Sequence, residues 1–178
     1  MSNKILDEYI KKIRYFSEKI PAGKISFMEV CGTHTMAISR SGIRDILPEK
    51  INLISGPGCP VCVTSQGDID RMIDIAGRSD VIITTFGDMI RVPGSNRKSL
   101  EKKKADGADI RIVYSPVQAV DIAEKNPEKK VIFLAVGFET TVPAIAGAVL
   151  EAEEKKINNF TLYPANKVIA PAMKALVT

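Results

Sequence analysis

Short runs of apolar, often β-branched residues recur along the chain at the length of a β-strand. Most are apolar on consecutive positions rather than on alternate ones: KISFMEV (24–30), INLIS (51–55), DVIITTF (80–86), DIRIVYS (109–115) and KVIFLAVG (130–137). Parallel strands that are buried on both faces have this continuous apolar pattern. The runs therefore predict a largely parallel sheet.

Between these runs the apolar residues recur at helical spacing. The helical segments are TMAISRSGIRDIL (35–47), IDRMIDIAG (69–77) and PVQAVDIAEK (116–125). In the second segment one face of the helix collects Ile69, Met72, Ile73 and Ala76. Strands that alternate with helices in this way predict an α/β fold, a three-layer domain with a mostly parallel sheet.

The C-terminal forty residues continue the alternation. A helix rich in small residues, TVPAIAGAVLEAEEKK, precedes a strand, NFTLYP, and a helical start, APAMKALV. We therefore predict one α/β domain over residues 1–140 and, over residues 141–178, a crossover helix with the beginning of a second, truncated α/β domain.

Composition narrows the class of protein. Of the 178 residues 45% are hydrophobic and 26% are charged, as in ordinary globular proteins. The net charge is only +4, and lysine runs such as EKKK (101–104) adjoin acidic residues, which indicates solvated helix ends rather than a nucleic-acid surface. No apolar stretch approaches the roughly 20 residues that span a bilayer, and the N-terminus lacks signal-peptide features. We expect a cytoplasmic protein without a membrane or nucleic-acid partner.

All three cysteines and the only histidine lie in two short motifs. Cys31-Gly-Thr-His34 follows the first strand, and Cys59-Pro-Val-Cys62 follows the second. Loops that leave the carboxyl ends of parallel strands line up along one edge of the sheet, so we expect the two motifs to meet. Each motif also precedes a helix, whose N-H groups and dipole favour a thiolate, so we expect lowered thiol pKa values. Ser65 and Asp68 fit the capping pattern of the helix after Cys62.

Three kinds of chemistry fit this set. C-x-x-H followed by C-x-x-C matches a structural Cys₃His zinc site. Pro60 within the C-x-x-C motif resembles thioredoxin-like or glutaredoxin-like redox pairs. A third interpretation combines the two: Cys31, with His34 near it, holds a metal fragment while Cys59 and Cys62 supply redox equivalents. Buried unreactive cysteines are the remaining alternative.

Two further loops after strands are polar and glycine-rich. TTFGDMIRVPGS (84–95) offers Thr85, Asp88, Arg91 and Ser95, and GFETTVPA (137–144) offers Glu139 and Thr140 at a helix start. We expect both at the same sheet edge as the cysteines. Neither loop matches a Walker or G-x-G-x-x-G nucleotide motif.

Four motifs in this order, MEVCGTHTMAISRSGIR, GPGCPVCVTSQGDID, TFGDMIRVPGS and GFETTVPA, resemble the hydrogenase maturation factor family HypD. The resemblance covers nearly the whole chain. It implies a scaffold on which the Fe(CN)₂CO unit of [NiFe]-hydrogenase is assembled, rather than a turnover enzyme. It also implies two partners, a HypC-like chaperone and a HypE-like cyanide donor.

The resemblance assigns roles to individual residues. Cys31 matches the iron-binding cysteine and His34 the histidine of its motif, while Cys59 and Cys62 match a dithiol that exchanges electrons during assembly. His34 and Glu139 would tune or protonate the surroundings of the iron. The second tier of site residues from the two polar loops consists of Thr85, Asp88, Arg91, Glu139 and Thr140.

The sequence also departs from the family pattern. Family members carry four more cysteines that bind a [4Fe-4S] cluster, and those ligands are absent from this chain, which has three cysteines in all. Family members also have a second α/β domain that closes the cleft over the iron cysteine. From the resemblance we expect only the opening residues of that domain here.

Overall fold

In the residues that the structure describes, six strands form two parallel sheets rather than one. A computed structural model describes residues 3–21 and 23–177, and the chain divides into two compact units, Met1–Cys59 and Pro60–Thr178. The first unit holds a two-stranded sheet and the second a four-stranded sheet in the order β4-β3-β5-β6, with every pairing parallel. The boundary that we place after residue 140 lies inside the second unit and stays a prediction.

The first unit has five elements. They are α1 (Asn3–Glu18), β1 (Ile25–Glu29), α2 (Gly32–Ser41), α3 (Ile43–Ile46) and β2 (Ile51–Ser55). The segment 35–47 forms two helices rather than one because Gly42, at φ 65°, adopts a left-handed conformation that ends α2. Between α1 and the sheet lies an apolar groove of about 520 Å³, lined by residues that include Tyr9, Phe16 and Phe27.

The second unit contains the remaining elements. Its helices are α4 (Gln66–Ala76), α5 (Leu100–Ala105), α6 (Pro116–Glu124), α7 (Val142–Glu154) and α8 (Ala170–Val177). Its strands are β3 (Val81–Thr85), β4 (Ile110–Ile112), β5 (Lys130–Ala135) and β6 (Phe160–Pro164). The strands and helices that we predicted within the second unit are therefore confirmed, and α5 lies in a part of the chain for which we predicted no separate helix.

Burial in the second unit follows the predicted pattern. All five residues of β3 are buried, as expected for a central strand with helices on both faces. On one face α4 packs against the sheet through Met72 and Ile73, together with Ile83. On the other face Phe133 packs with Ala119 of α6 and Ile145 of α7. This arrangement confirms the three-layer α/β class.

None of the helices in residues 3–21 and 23–177 combines the length and the apolar character needed to cross a bilayer.

Candidate functional site

The loops that carry Cys31 and Cys59 leave neighbouring ends of β1 and β2. The two strands run in register from Ile25 beside Ile51 to Glu29 beside Ser55. The ladder continues for one more bond, because the backbone N-H of Gly56 donates to the carbonyl oxygen of Glu29 at 2.8 Å. Within the first unit the Cys31 loop therefore lies beside the GPGC segment, while the predicted meeting of the two whole motifs, which includes Cys62, stays a prediction.

Glycine at position 56 is required by a close approach between two backbones. A Cβ atom there would lie 2.6 Å from the carbonyl oxygen of Glu29 and 3.0 Å from Cγ of Met28. Gly58 adopts φ 98°, which L side chains rarely adopt. The GPGC segment therefore passes close to the end of β1 at Gly56, and the chain turns at Gly58 immediately before Cys59.

Cys31 occupies the N-cap position of α2 with extended backbone angles, φ −127° and ψ 123°. The backbone N-H groups of His34, and then of Thr33, at the start of α2 lower the pKa of the Cys31 thiol below its ordinary value of 9.0. A hydrogen bond with the Cys59 side chain acts in the same direction. This direction agrees with the lowered pKa that the sequence predicts for this cysteine, and the Cys31 thiol is half-buried.

His34 contributes to Cys31 through its backbone. Its N-H is the first of the groups that lower the thiol pKa, whereas the side chain is exposed at the surface of α2. The described residues contain no group of three or more His, Cys, Asp or Glu side chains arranged to hold one metal ion.

Glu29 is a polar residue near Cys31 that our sequence analysis missed. Its Oε1 accepts a hydrogen bond of 2.7 Å from the hydroxyl of Thr35, one turn into α2. This bond, and then one with the Ser55 side chain, lower the pKa of the Glu29 carboxyl. The backbone N-H of Thr35 donates to the carbonyl of Cys31 at 3.1 Å. Glu29 and Thr35 thus lie on either side of Cys31 in the chain and are joined by a hydrogen bond. The sequence signal that could have identified Glu29 was an acidic residue at the end of a strand, two positions before a cysteine.

Cys62 lies in the segment of the second unit that precedes α4, and it is exposed. The predicted cap of that helix is confirmed, since Ser65 Oγ accepts from the backbone N-H of Asp68 at 3.1 Å and donates to its carboxylate at 2.7 Å. Asp68 also accepts a 3.0 Å hydrogen bond from the Tyr163 hydroxyl at the end of β6. Ser65 first, and then Tyr163, lower the pKa of Asp68. Sequence analysis missed Tyr163 because 95 residues separate the pair.

The loop 91–98 is held by Asp70, another residue that sequence analysis missed. Its carboxylate accepts from the backbone N-H and from the hydroxyl of Ser95, both at 2.7 Å. Those two bonds, the backbone one first, lower the pKa of Asp70. Beyond Ser95, Asn96 and Arg97 both have positive φ, 56° and 58°. The carboxylate thus stabilises a backbone conformation that costs free energy in residues other than glycine.

The other predicted site residues lie in the second unit. Thr85 is fully buried at the end of β3, and its hydroxyl has no hydrogen-bond partner among the described residues. Asp88 and Thr140 are exposed in short 3-10 turns, and the guanidinium of Arg91 forms a 3.1 Å ion pair with Glu101.

The loops after β3 and β5 thus follow strands of the four-stranded sheet. Our expectation that they share one sheet edge with the cysteine loops was wrong, because among the described strands β1 and β2 pair with each other and form a separate sheet.

Glu139 holds the start of the C-terminal helix. Its carboxylate accepts from the backbone N-H of Ile169 at 3.0 and 3.1 Å and from that of Ala170 at 3.5 Å. Its own backbone N-H first, and then that of Ile169, lower the pKa of this carboxyl. Glu139 therefore acts as a cap for α8, and its role beside the iron stays a prediction.

Comparison with known proteins decides the family. The family model for HypD, described as "Hydrogenase formation hypA family", matches residues 4–178. This chain belongs to the HypD family. It is 48% identical over 161 residues to hydrogenase maturation factor HypD2 of Bradyrhizobium diazoefficiens and 42% identical over 172 residues to HypD of Escherichia coli. It is also 45% identical over 173 residues to a hydrogenase expression/formation protein of Methanocaldococcus jannaschii.

These matches cover most of this chain and less than half of each relative. They include 90%, 97% and 97% of the present chain but 42%, 45% and 47% of the Bradyrhizobium, Escherichia and Methanocaldococcus proteins. The chain therefore spans less than half the length of the curated relatives it matches.

Proposed function

We propose that this chain acts in hydrogenase maturation as a scaffold that holds the Fe(CN)₂CO fragment through Cys31. The observation that carries the proposal is the placement of Cys31 at the N-cap of α2, where two backbone N-H groups stabilise its thiolate. A thiolate is a soft ligand, and soft ligands suit an iron ion that carries cyanide and carbon monoxide. The family membership supports the same function, since relatives are named as maturation factors.

In this proposal the residues around Cys31 position and protect the thiolate. Thr35 links the carboxylate of Glu29 to the first turn of α2, which holds the cysteine at the strand end. The glycines of the GPGC segment place Cys59 beside Cys31. The Cys59 and Cys62 pair would supply two electrons by closing to a disulfide. A HypC-like chaperone and a HypE-like cyanide donor are the partners that this function requires.

The test is an anaerobic co-purification of the chain with a HypC-like partner, followed by infrared spectroscopy of metal-bound cyanide and carbon monoxide. We expect bands from the wild-type complex and none from Cys31→Ser. The matched control is Ser41→Ala, a substitution at the other end of the same helix that removes only a 2.9 Å bond to the carbonyl of Ile38. Circular dichroism would show that all variants fold. Bands that persist in Cys31→Ser, or that are missing from the folded wild-type complex, would refute the assignment.

A thiol-disulfide oxidoreductase is the second candidate function. It is favoured by the low pKa of the Cys31 thiol and by its hydrogen bond with a second cysteine, Cys59. Such an enzyme would reduce generic protein disulfides, for example those of insulin, in the presence of dithiothreitol and without iron or partners. Turnover that is abolished by Cys31→Ser would favour this function over the scaffold, whereas an inactive chain that binds iron would favour the scaffold.

A further inference from the structure

The sequence and the fold indicate different disulfide partners for Cys59. The C-x-x-C spacing pairs it with Cys62. The fold places it next to Cys31, because β1 and β2 end side by side at Glu29 and Ser55 and the bond from Gly56 to Glu29 keeps the two loops together. Cys59 therefore has a second cysteine within reach that its spacing in the chain does not reveal.

The degree of burial also groups Cys59 with Cys31 rather than with Cys62. Cys31 and Cys59 are half-buried, while Cys62 is exposed. The Cys59 side chain also interacts with that of Cys31, and the strand register keeps their two loops side by side. Two reactive groups held close together behave as if each were present at a very high concentration, so a covalent step between them is favoured over a step with a thiol from solution.

We propose that Cys31 and Cys59 form a disulfide when the protein meets a low-molecular-weight disulfide such as oxidised glutathione. Cys59 is then the sulfur shared by two alternative disulfides, one with Cys31 and one with Cys62. The consequence for iron rests on the proposed function: a bond between Cys31 and Cys59 occupies the sulfur that would otherwise bind the fragment.

The chemistry balances with oxidised glutathione as the oxidant. The Cys31 thiolate attacks one sulfur of the glutathione disulfide, forms a mixed disulfide and releases one glutathione thiolate. Cys59 then loses its proton and attacks the Cys31 sulfur, and the second glutathione leaves as a thiolate. Two protein thiols are oxidised and one glutathione disulfide is reduced to two thiols. If Cys59 and Cys62 are already bonded, the Cys31 thiolate attacks the Cys59 sulfur and Cys62 leaves as a thiolate, with no external oxidant.

Peptide mapping tests the pairing without iron. The reduced chain is treated with oxidised glutathione under nitrogen, alkylated to trap free thiols and digested with trypsin without reduction. Cys31 lies in the tryptic peptide 25–40, and Cys59 and Cys62 share the peptide 51–71. A cross-link between the two peptides therefore reports a bond from Cys31, and fragmentation before Pro60 tells which cysteine of the second peptide is joined.

Two matched serine variants decide the outcome. Cys62→Ser changes an exposed side chain, and we expect it to form the cross-link between Cys31 and Cys59 nearly completely. Cys59→Ser should lose that cross-link and carry only glutathione adducts. A Cys62→Ser protein that acquires only glutathione adducts overturns the proposal, as does a Cys59→Ser protein that cross-links Cys31 to Cys62.

The peptide mapping and the infrared experiment test the disulfide and the iron-binding role of Cys31 independently. If Cys31 does not bind iron, the disulfide between Cys31 and Cys59 still forms and the cross-link is still seen. If the disulfide does not form, the Cys31-dependent infrared bands are unaffected. The pairing and the iron-binding role of Cys31 can therefore each be rejected without the other.

Discussion

The backbone N-H of Gly56 donates to the carbonyl oxygen of Glu29 at 2.8 Å, one residue beyond the last paired positions of β1 and β2. This bond joins the end of the strand before Cys31 to the start of the loop that carries Cys59. A side chain at position 56 would collide with the same carbonyl oxygen, at 2.6 Å. The relation between Gly56 and Glu29 therefore sets the distance between the two loops, and a substitution at Gly56 tests it.

Replacing Gly56 with alanine should destabilise the protein and separate the two cysteines. The added methyl group meets the backbone carbonyl oxygen of Glu29, which cannot rotate away, and overpacking of this kind costs about 1–3 kcal/mol. We expect a lower urea unfolding midpoint and slower formation of the disulfide between Cys31 and Cys59. The control is Gly67→Ala in α4, where the nearest atom is the end of the flexible Arg71 side chain at 3.5 Å. Alanine there should stabilise the helix by about 0.5–1 kcal/mol, so equal losses in both variants would contradict the prediction.

Cys31 should be alkylated at lower pH than an ordinary thiol. The backbone N-H groups of His34 and Thr33 lower its pKa below 9.0, so the thiolate that reacts with iodoacetamide is present at lower pH. The rate of modification of peptide 25–40, followed by mass spectrometry across pH, should have its midpoint below 9.0. Cys59→Ala removes one of the hydrogen bonds and should raise that midpoint. A wild-type midpoint at or above 9.0 would rule out stabilisation of the thiolate by α2.

Thr35→Val should lower stability at neutral pH and have less effect in acid. The Thr35 hydroxyl bond is the largest cause of the lowered pKa of Glu29, whose ordinary value is 4.5. A carboxyl with a depressed pKa stabilises the folded state above the unfolded pKa, and this contribution is lost as the pH falls through the folded value. The difference in melting temperature between wild type and Thr35→Val should therefore be full above pH 4.5 and shrink below it.

The matched control for that experiment is Ser41→Ala, also in α2, whose hydroxyl bonds a backbone carbonyl and no carboxylate. Its effect on the melting temperature should not vary over the same acid range. A difference between wild type and Thr35→Val that stays constant down to the acid-unfolding region would show that Thr35 does not stabilise the ionised carboxylate.

Asp70→Ala should release the loop that contains Ser95. The substitution removes two 2.7 Å hydrogen bonds that hold a segment with two residues of positive φ. Trypsin should then cleave after Arg97 and Lys98 several-fold faster in the folded protein, as measured by the time course of the fragments. Asp74→Ala is the control, because this residue of the same helix makes only a 3.9 Å ion pair with Lys98. Equal cleavage rates in the two variants would show that Asp70 does not hold the loop.

The sequence by itself determined the local structure and the identity of the reactive residues. Continuous apolar runs mark strands wherever both faces are buried, and INLIS coincides with β2 from Ile51 to Ser55. The face formed by Ile69, Met72, Ile73 and Ala76 is the buried face of α4. The cysteines of the two motifs, and the cap formed by Ser65 and Asp68, could be predicted because their signals lie within a few residues of one another.

Only the tertiary structure decided how the strands divide between two sheets and which residues meet. A strand's apolar pattern shows that it is buried but does not name its neighbour, so the separation of β1 and β2 from the other four strands could not be predicted. The pairs Asp70 with Ser95 and Asp68 with Tyr163 join residues that are 25 and 95 positions apart. The approach of the Cys31 and Cys59 loops could be predicted from the strand order, whereas the register that pairs Glu29 with Ser55 came only from the tertiary structure.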